Sequence, residues 1–475
     1  MSYPVDSYGQ QHQAAPGCPV TGTGAAAVTP LFGTDFAADP HAVYGQLRGT
    51  GARAHPVALE PGVHAILVTS YATAREILLS PDFSKDPRHW TDLMRGGLPE
   101  DSAVRPMMEW RPNALFSDGH EHQTRRQVID DVLGKVDLYQ LRRFVEEAAD
   151  ELIDAFAPTG RADLMADYAR QLPLRVFNRL FGCPEDIGNR LVEGMSALFD
   201  GRDPEKSNAI VTQGLLDLVA YKTEQPGSDV TSWILSHPSQ AKGEEVIHQI
   251  VTLMGAGTEP ESNLIGTAAL KILADPRFAG HFAGINPPIS ESINDVLRWD
   301  PPLANYGVHY ARRTTELHDV VFPTGVPILL SFAAANNDPA EGIAEDQDAT
   351  HSAHLAWSAG PHQCPAQRQA LSIAYTAIER LFKRMPDVRL AVDESTLEWR
   401  PGPFHRALKT LPVRFSPRPV HAEPGGFVQG PAGQGPAGPA TGSLLYPATP
   451  PPPPVTVSPT QKVLNVWLNW WRGDN

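Results

Sequence analysis

Six stretches between residues 137 and 384 repeat apolar side chains at intervals of three and four, the spacing that lines one face of a helix. The clearest is "DLYQLRRFVEEAADELIDAFA", residues 137–157. Others run over about 163–181, 187–200, 207–223 and 244–274, and the last over 366–384. Strand signals are shorter and lie at the two ends of this region. "ARAHPVALEPGVHAILVTS" reads as two strands joined by a Pro-Gly turn, with "YATAREILLS" following as a helix. "ELHDVVFPTGVPILLSFA" brings strand back late in the chain. The expected fold is mainly α with a minor β-sheet, too large for a simple bundle.

Composition narrows the function. A net charge of −15 argues against wholesale binding to nucleic acid or to anionic lipid. Three cysteines in 475 residues, Cys18, Cys183 and Cys364, are odd in number and far apart. That fits neither a disulfide framework nor a zinc site with paired spacings. The N-terminus shows no signal peptide, and no apolar run is long enough to span a membrane. A soluble, cytoplasmic protein is expected.

Four segments are expected. Residues 1–30 are polar, rich in Gly, Ala and Pro, and read as disordered. Residues 31–415 have the composition of a globular domain. Residues 416–460 are a Pro/Gly-rich linker that ends in polyproline. Residues 461–475 hold a Trp-rich amphipathic segment with Val463, Val466, Trp467 and Trp470 on one helical face. That face suits docking on the chain's own surface, a partner protein or a membrane surface.

Cys364 stands out by its setting, "WSAGPHQCPAQ". Pro365 follows it as a preferred first helical residue, so the thiol is placed at a helix N-terminus. Amide N–H groups and the dipole there lower a thiol pKa and make the thiolate a good soft metal ligand. Gly360 lets the backbone pass close to something flat or bulky.

The pattern Trp357-x-x-Gly360-x-His362-x-Cys364 resembles the haem-binding signature of the cytochrome P450 family. Three further stretches resemble the family in the same order. "LMGAGTEPESNLIGTA" is similar to its central helix, with Ala256 and Gly257 at the kink, then Thr258 and Glu259. "ISESINDVLRWDPP" is similar to its E-x-x-R helix, and "DGHEHQTRRQ" to the helix that clamps the propionates, through His122 and Arg126. The resemblance implies a cytochrome P450 fold over roughly residues 31–415 that binds heme b (iron protoporphyrin IX). Cys364 is the implied iron ligand, and His362, His122, Arg126 and His309 face the propionates. It also implies a monooxygenase acting on an apolar or amphipathic small molecule. Ferredoxin and ferredoxin reductase are the implied electron donors, since no flavin or iron–sulfur motif is visible.

Departures from the family pattern leave two readings open. The E-x-x-R acid is Asp295, one C–C bond shorter, in a structural ion pair with Arg298. Pro260 stands where the central-helix threonine belongs, leaving Glu259, Thr258 and Glu261 as candidate proton-handling residues. His309 replaces a propionate-binding Arg. One reading is the monooxygenase. The other is a haem-binding protein with little turnover, in a signalling or protein-interaction role.

Overall fold

The helix Leu138–Phe156 forms where its pattern requires it. Asp137 caps its start, accepting the Tyr139 amide at 2.8 Å. Leu141, Val145, Ala148, Leu152 and Ile153 are buried along one stripe, in a core shared with Ala374, Ala377, Ile378 and Leu381 of the helix Gln367–Arg384. Arg380 and Arg384 both reach Asp150, at 2.5 and 2.6 Å, beside that stripe. Each buried aliphatic side chain is worth roughly 1.5–3 kcal/mol and each half-exposed ion pair less than about 1 kcal/mol, so the stripe dominates this contact.

The computed structural model describes residues 28–99, 102–199, 204–239, 244–275, 289–341 and 354–419. The segment 1–27, and the linker and Trp-rich segment beyond residue 419, lie outside the described residues. The folded body reaches past both expected boundaries. Thr29–Pro30 already pairs as a strand, and Arg418 still bonds Asp387 at 2.9 Å.

Eleven strands are described: β1 (Thr29–Pro30), β2 (Ala54–Glu60), β3 (Val63–Val68), β4 (Phe83–Ser84), β5 (Arg161–Asp163), β6 (Gly307–Ala311), β7 (Thr315–Leu317), β8 (Val320–Phe322), β9 (Pro327–Leu330), β10 (Arg389–Leu390) and β11 (Pro412–Arg414). The main sheet runs β1-β2-β3-β9-β6-β4. The expected Pro-Gly hairpin is β2–β3, antiparallel with Val57 opposite Ala65. β3 pairs in parallel with β9, joining the two strand-rich ends of the chain. In the ribbon β7–β8, His318 and Asp319 take φ values of 47° and 63°, as a two-residue primed turn demands.

One helical expectation changes. The stretch 163–181 is not one helix: it opens as β5, passes through a wide turn closed by Arg170 N–H to Met165 C=O at 3.1 Å, and becomes helical only over Gln171–Leu180. Pro173 explains this, because its missing N–H is tolerated only in a helix's first turn. The long helix Glu244–Ala274, by contrast, runs on through Pro260. Its later residues Leu264, Ile265, Ala268 and Ile272 anchor it in the same core as Leu141 and Ile378.

Candidate functional site

Cys364 sits in a tightly held loop between the main sheet and the helix Gln367–Arg384. Its amide donates to the Trp357 carbonyl at 2.8 Å, and the Gln363 amide to Gly360 at 3.1 Å. Ser358 and Gly360 take φ values of 60° and 67°. A Cβ on Gly360 would lie 2.6 Å from the Leu78 carbonyl oxygen, so the backbone that Gly360 approaches is the chain's own helix Tyr71–Leu79. The following helix starts at Gln367, so Pro365 lies in the entering turn rather than at the first helical position.

The Cys364 thiol lines a cavity of about 290 Å³ between this loop and the long helix. Burial raises the thiol's pKa and outweighs the Ala366 amide and Arg126, which lower it. That corrects the expectation of a thiol lowered by the helix end. Desolvation wins here, and a thiolate at this spot calls for a bound cation. Trp357, Ala256, Gly257, Pro260, Glu261 and Leu264 also line the cavity. A Cβ on Gly257 would meet the Phe177 ring at 2.6 Å, which explains the glycine by packing.

Basic groups gather at one edge. The rings of His122 and His362 stand 4.0 Å apart, and both residues line the cavity, as does Arg126. Arg126 pairs with Asp130 at 2.7 Å through Nε and donates from Nη1 to the Pro361 carbonyl at 3.2 Å. His309 is buried on β6, on the strand face opposite Val308 and Tyr310, and its Nδ1 lies 3.0 Å from the Gly307 carbonyl. Lys85 joins them, buried with Nζ donating to Val308 C=O at 2.8 Å. Burial brings the Lys85 pKa down to about 8 against the pull of Asp118. Burial, then Lys85, His122, His309 and Arg126, hold His362 far below the ordinary histidine range. Asp118 is 3.9 Å from His362 but is already engaged by Ser84, the Lys85 amide and Arg312. The cations Arg126 and Lys85, with neutral histidine rings that can donate hydrogen bonds beside them, suit an anionic edge. An apolar slot with a thiol on one wall and a basic rim therefore fits a haem, whose carboxylates would meet the rim.

The three proton-handling candidates separate. Thr258 is buried, with its hydroxyl bonded back to Met254 C=O at 2.6 Å. Glu259 turns away from the cavity to an ion pair with Arg400 and a 3.1 Å bond from Asn263. Only Glu261 lines the cavity. Burial raises its carboxyl pKa well above the ordinary range, with the Ala374 backbone opposing, and its Oε1 has no hydrogen-bond partner.

On the helix Ile289–Trp299, Asp295 lies 3.9 Å from Lys271 of the long helix. Arg298 is buried, and its carbonyl accepts from the side chains of Asn336 and Asn337. Sequence reasoning missed Lys85, Asp118 and Arg400. "FSKDPRHW" shows a lysine after two strand residues, but only the pairing of Ser84 with Tyr310 brings it beside His309.

No family model matches the chain. Among curated proteins, the cytochrome P450 monooxygenase PikC of Streptomyces venezuelae is 31% identical over 399 residues, covering 81% of this chain and 93% of PikC. Cytochrome P450 107B1 of Saccharopolyspora erythraea is 28% identical over 394 residues, covering 81% and 96%. Among solved structures, CYP154C4 from Streptomyces superposes with a TM-score of 0.73 at 25% identity, covering 81% of this chain and 97% of that one. Identity of this order over nearly the whole of PikC, on a fold shared with CYP154C4, means that the chain belongs to the cytochrome P450 family.

Proposed function

We propose that this protein binds heme b through Cys364 and places one oxygen atom from dioxygen into an apolar or amphipathic small molecule. As a P450 it is a monooxygenase and an oxidoreductase, and the reading with little turnover finds no support among relatives such as PikC. The carrying observation is that the Cys364 thiol opens into an apolar cavity rimmed by His122, Arg126 and His362. Bound there, the haem supplies dioxygen activation. The chain supplies the rest. Cys364 gives the thiolate. His122, Arg126, His362, His309 and Lys85 hold the carboxylate edge. Trp357 and Gly360 shape the ligand loop, Ala256 keeps the long helix thin where the substrate lies, and Gly257 makes room for the Phe177 ring at the cavity wall.

Glu261 holds the proton that a threonine at position 260 would otherwise help deliver. It is the acid whose side chain faces the cavity, whereas Glu259 is committed to Arg400. Asp295 and Arg298 brace the helix beneath the ligand loop. Each turnover takes two electrons and two protons and releases one water beside the oxygenated product. The electrons come from a separate ferredoxin and its reductase. The haem-thiolate domain spans roughly residues 29–418, a little beyond the bounds read from composition, and a cytoplasmic location fits the sparing use of cysteine. No helix among the described residues is long and apolar enough to cross a membrane.

The test is spectroscopic. Purified protein, reduced and given carbon monoxide, is expected to show the red-shifted Soret band of thiolate ligation, and Cys364→Ser to lose that band entirely. An unchanged spectrum in the variant would remove Cys364 as ligand.

A further inference from the structure

Hydroxyls of the long helix Glu244–Ala274 bond back to its own backbone. Thr252, Thr258 and Ser262 each donate to the carbonyl one turn earlier, those of His248, Met254 and Thr258, at 2.6, 2.6 and 2.8 Å. Pro260 breaks that pattern. It has neither a hydroxyl nor an amide N–H, so the Ala256 carbonyl lacks the donor that an α-helix supplies four residues on. The gap falls on the cavity. Ala256 is exposed although Gly255 and Thr258 are buried, because the space beside Cys364 opens at it. Ala256 and Pro260 also wall an adjoining recess of about 50 Å³, so the helix turn between them faces both spaces. Neighbouring donors in that recess are spent elsewhere. The Tyr306 hydroxyl donates to the Met107 carbonyl at 2.6 Å, and Asn113 Nδ2 to the Thr252 hydroxyl at 2.9 Å.

We propose that the Ala256 carbonyl is a substrate-binding acceptor, and that the cavity selects apolar molecules carrying an O–H group that donates to it while the skeleton lies over the haem. This rests on the monooxygenase reading and names its substrate class. Once a ligand has displaced water from the cavity, a carbonyl left without a donor costs free energy, and a ligand hydroxyl restores the missing bond. A methyl ether of the same skeleton fills similar volume but can only accept, so it sets oxygen against oxygen. Discrimination of this kind comes from leaving a polar group unmatched rather than from shape.

The experiment uses the ferric holoprotein and two alcohols of different shape, 1-decanol and 2-naphthol, each beside its methyl ether. Binding is followed by calorimetry, and the shift of the ferric spectrum marks a probe seated over the haem. At least one alcohol is expected to bind about tenfold tighter than its ether, the worth of one hydrogen bond made away from water. Pro260→Ala and Pro260→Val both return an amide N–H to the helix, and Val keeps most of the bulk of the ring. Each is expected to abolish the preference for the alcohol. The inference is overturned if neither alcohol is preferred over its ether, or if either variant keeps the preference. The carbon monoxide spectrum of the same samples reports on folding and thiolate ligation separately. A variant that keeps the band and loses the preference supports the inference. Absence of the band in the unaltered protein would defeat the monooxygenase reading itself, while calorimetry would still decide the alcohol preference.

Discussion

The two walls of the cavity are built on opposite terms. On the thiol wall the backbone is irregular and closely fitted: Ser358 and Gly360 have positive φ, and the Cys364 amide is tied to Trp357. There the residue types of the family signature are all present. On the helix wall the backbone is regular from Glu244 to Ala274, and it is the side chains that depart, with Pro260 in place of an alcohol and Glu259 drawn off to Arg400. A regular helix accepts new side chains without altering its path, whereas a loop with special φ values accepts few. On the proposed function, the difference teaches that holding the cofactor rests on backbone geometry here, and proton delivery on side-chain choice.

The sharpest way to break that contrast is Glu261→Gln. If the acid handles protons, product formation falls by about 10²–10⁴-fold, the usual worth of general acid catalysis. Haem content and the carbon monoxide band stay as they were, and reducing equivalents are diverted to peroxide. Adding Pro260→Thr to that variant is expected to restore part of the coupling. A loss of haem alongside the loss of turnover would instead make Glu261 a packing residue.

Gly360→Ala probes the other wall. The added Cβ meets the Leu78 carbonyl oxygen, a backbone atom with little freedom to move, at a φ of 67°. A destabilisation on the order of 3 kcal/mol is expected from urea unfolding, with displacement of the loop and a weakened thiolate band. Gly257→Ala makes a control on the regular wall, because its neighbour is the far end of the Phe177 ring, which can rotate aside. If the two substitutions cost the same, the contrast between the walls fails.

What was legible in the sequence follows the same division. The loop around Cys364 and the helix start around His122 are local patterns, so Cys364, His362, His122 and Arg126 could be named before their convergence on one cavity was seen. The helix Leu138–Phe156 could be placed to within a residue or two because its stripe is long and strictly periodic. Contacts between distant segments were not legible. Arg400 meets Glu259 across 141 positions of chain, and nothing near either residue announces the pair. Lys85 reaches its place through β4–β6 pairing, and the wide turn before Gln171 arises from one proline that the apolar spacing conceals. A periodic pattern reports which face is buried, not which acid turns toward a cavity. For that reason Glu259, Thr258 and Glu261 looked alike until the helix was fixed in space.

The smallest effect concerns the support behind the thiol wall. Burial tends to raise the Asp150 carboxyl, but hydrogen bonds and charge from Arg380 and Arg384 prevail and hold it below the ordinary carboxylate range. A carboxylate depressed in the folded state contributes stability at pH values above its unfolded pKa of about 3.9, and that stability is lost as pH falls through the folded value. Asp150→Asn is therefore expected to cost about 1 kcal/mol at neutral pH, discounted because the pair is partly solvated. The gap between variant and parent should close in acid. Arg384 keeps Asp154 at 2.6 Å in either case, which limits the loss. Urea midpoints of both proteins across the acid range measure it. A gap that stays constant with pH would assign the effect to packing between the two helices and leave the ion pairs no part in bracing the ligand loop.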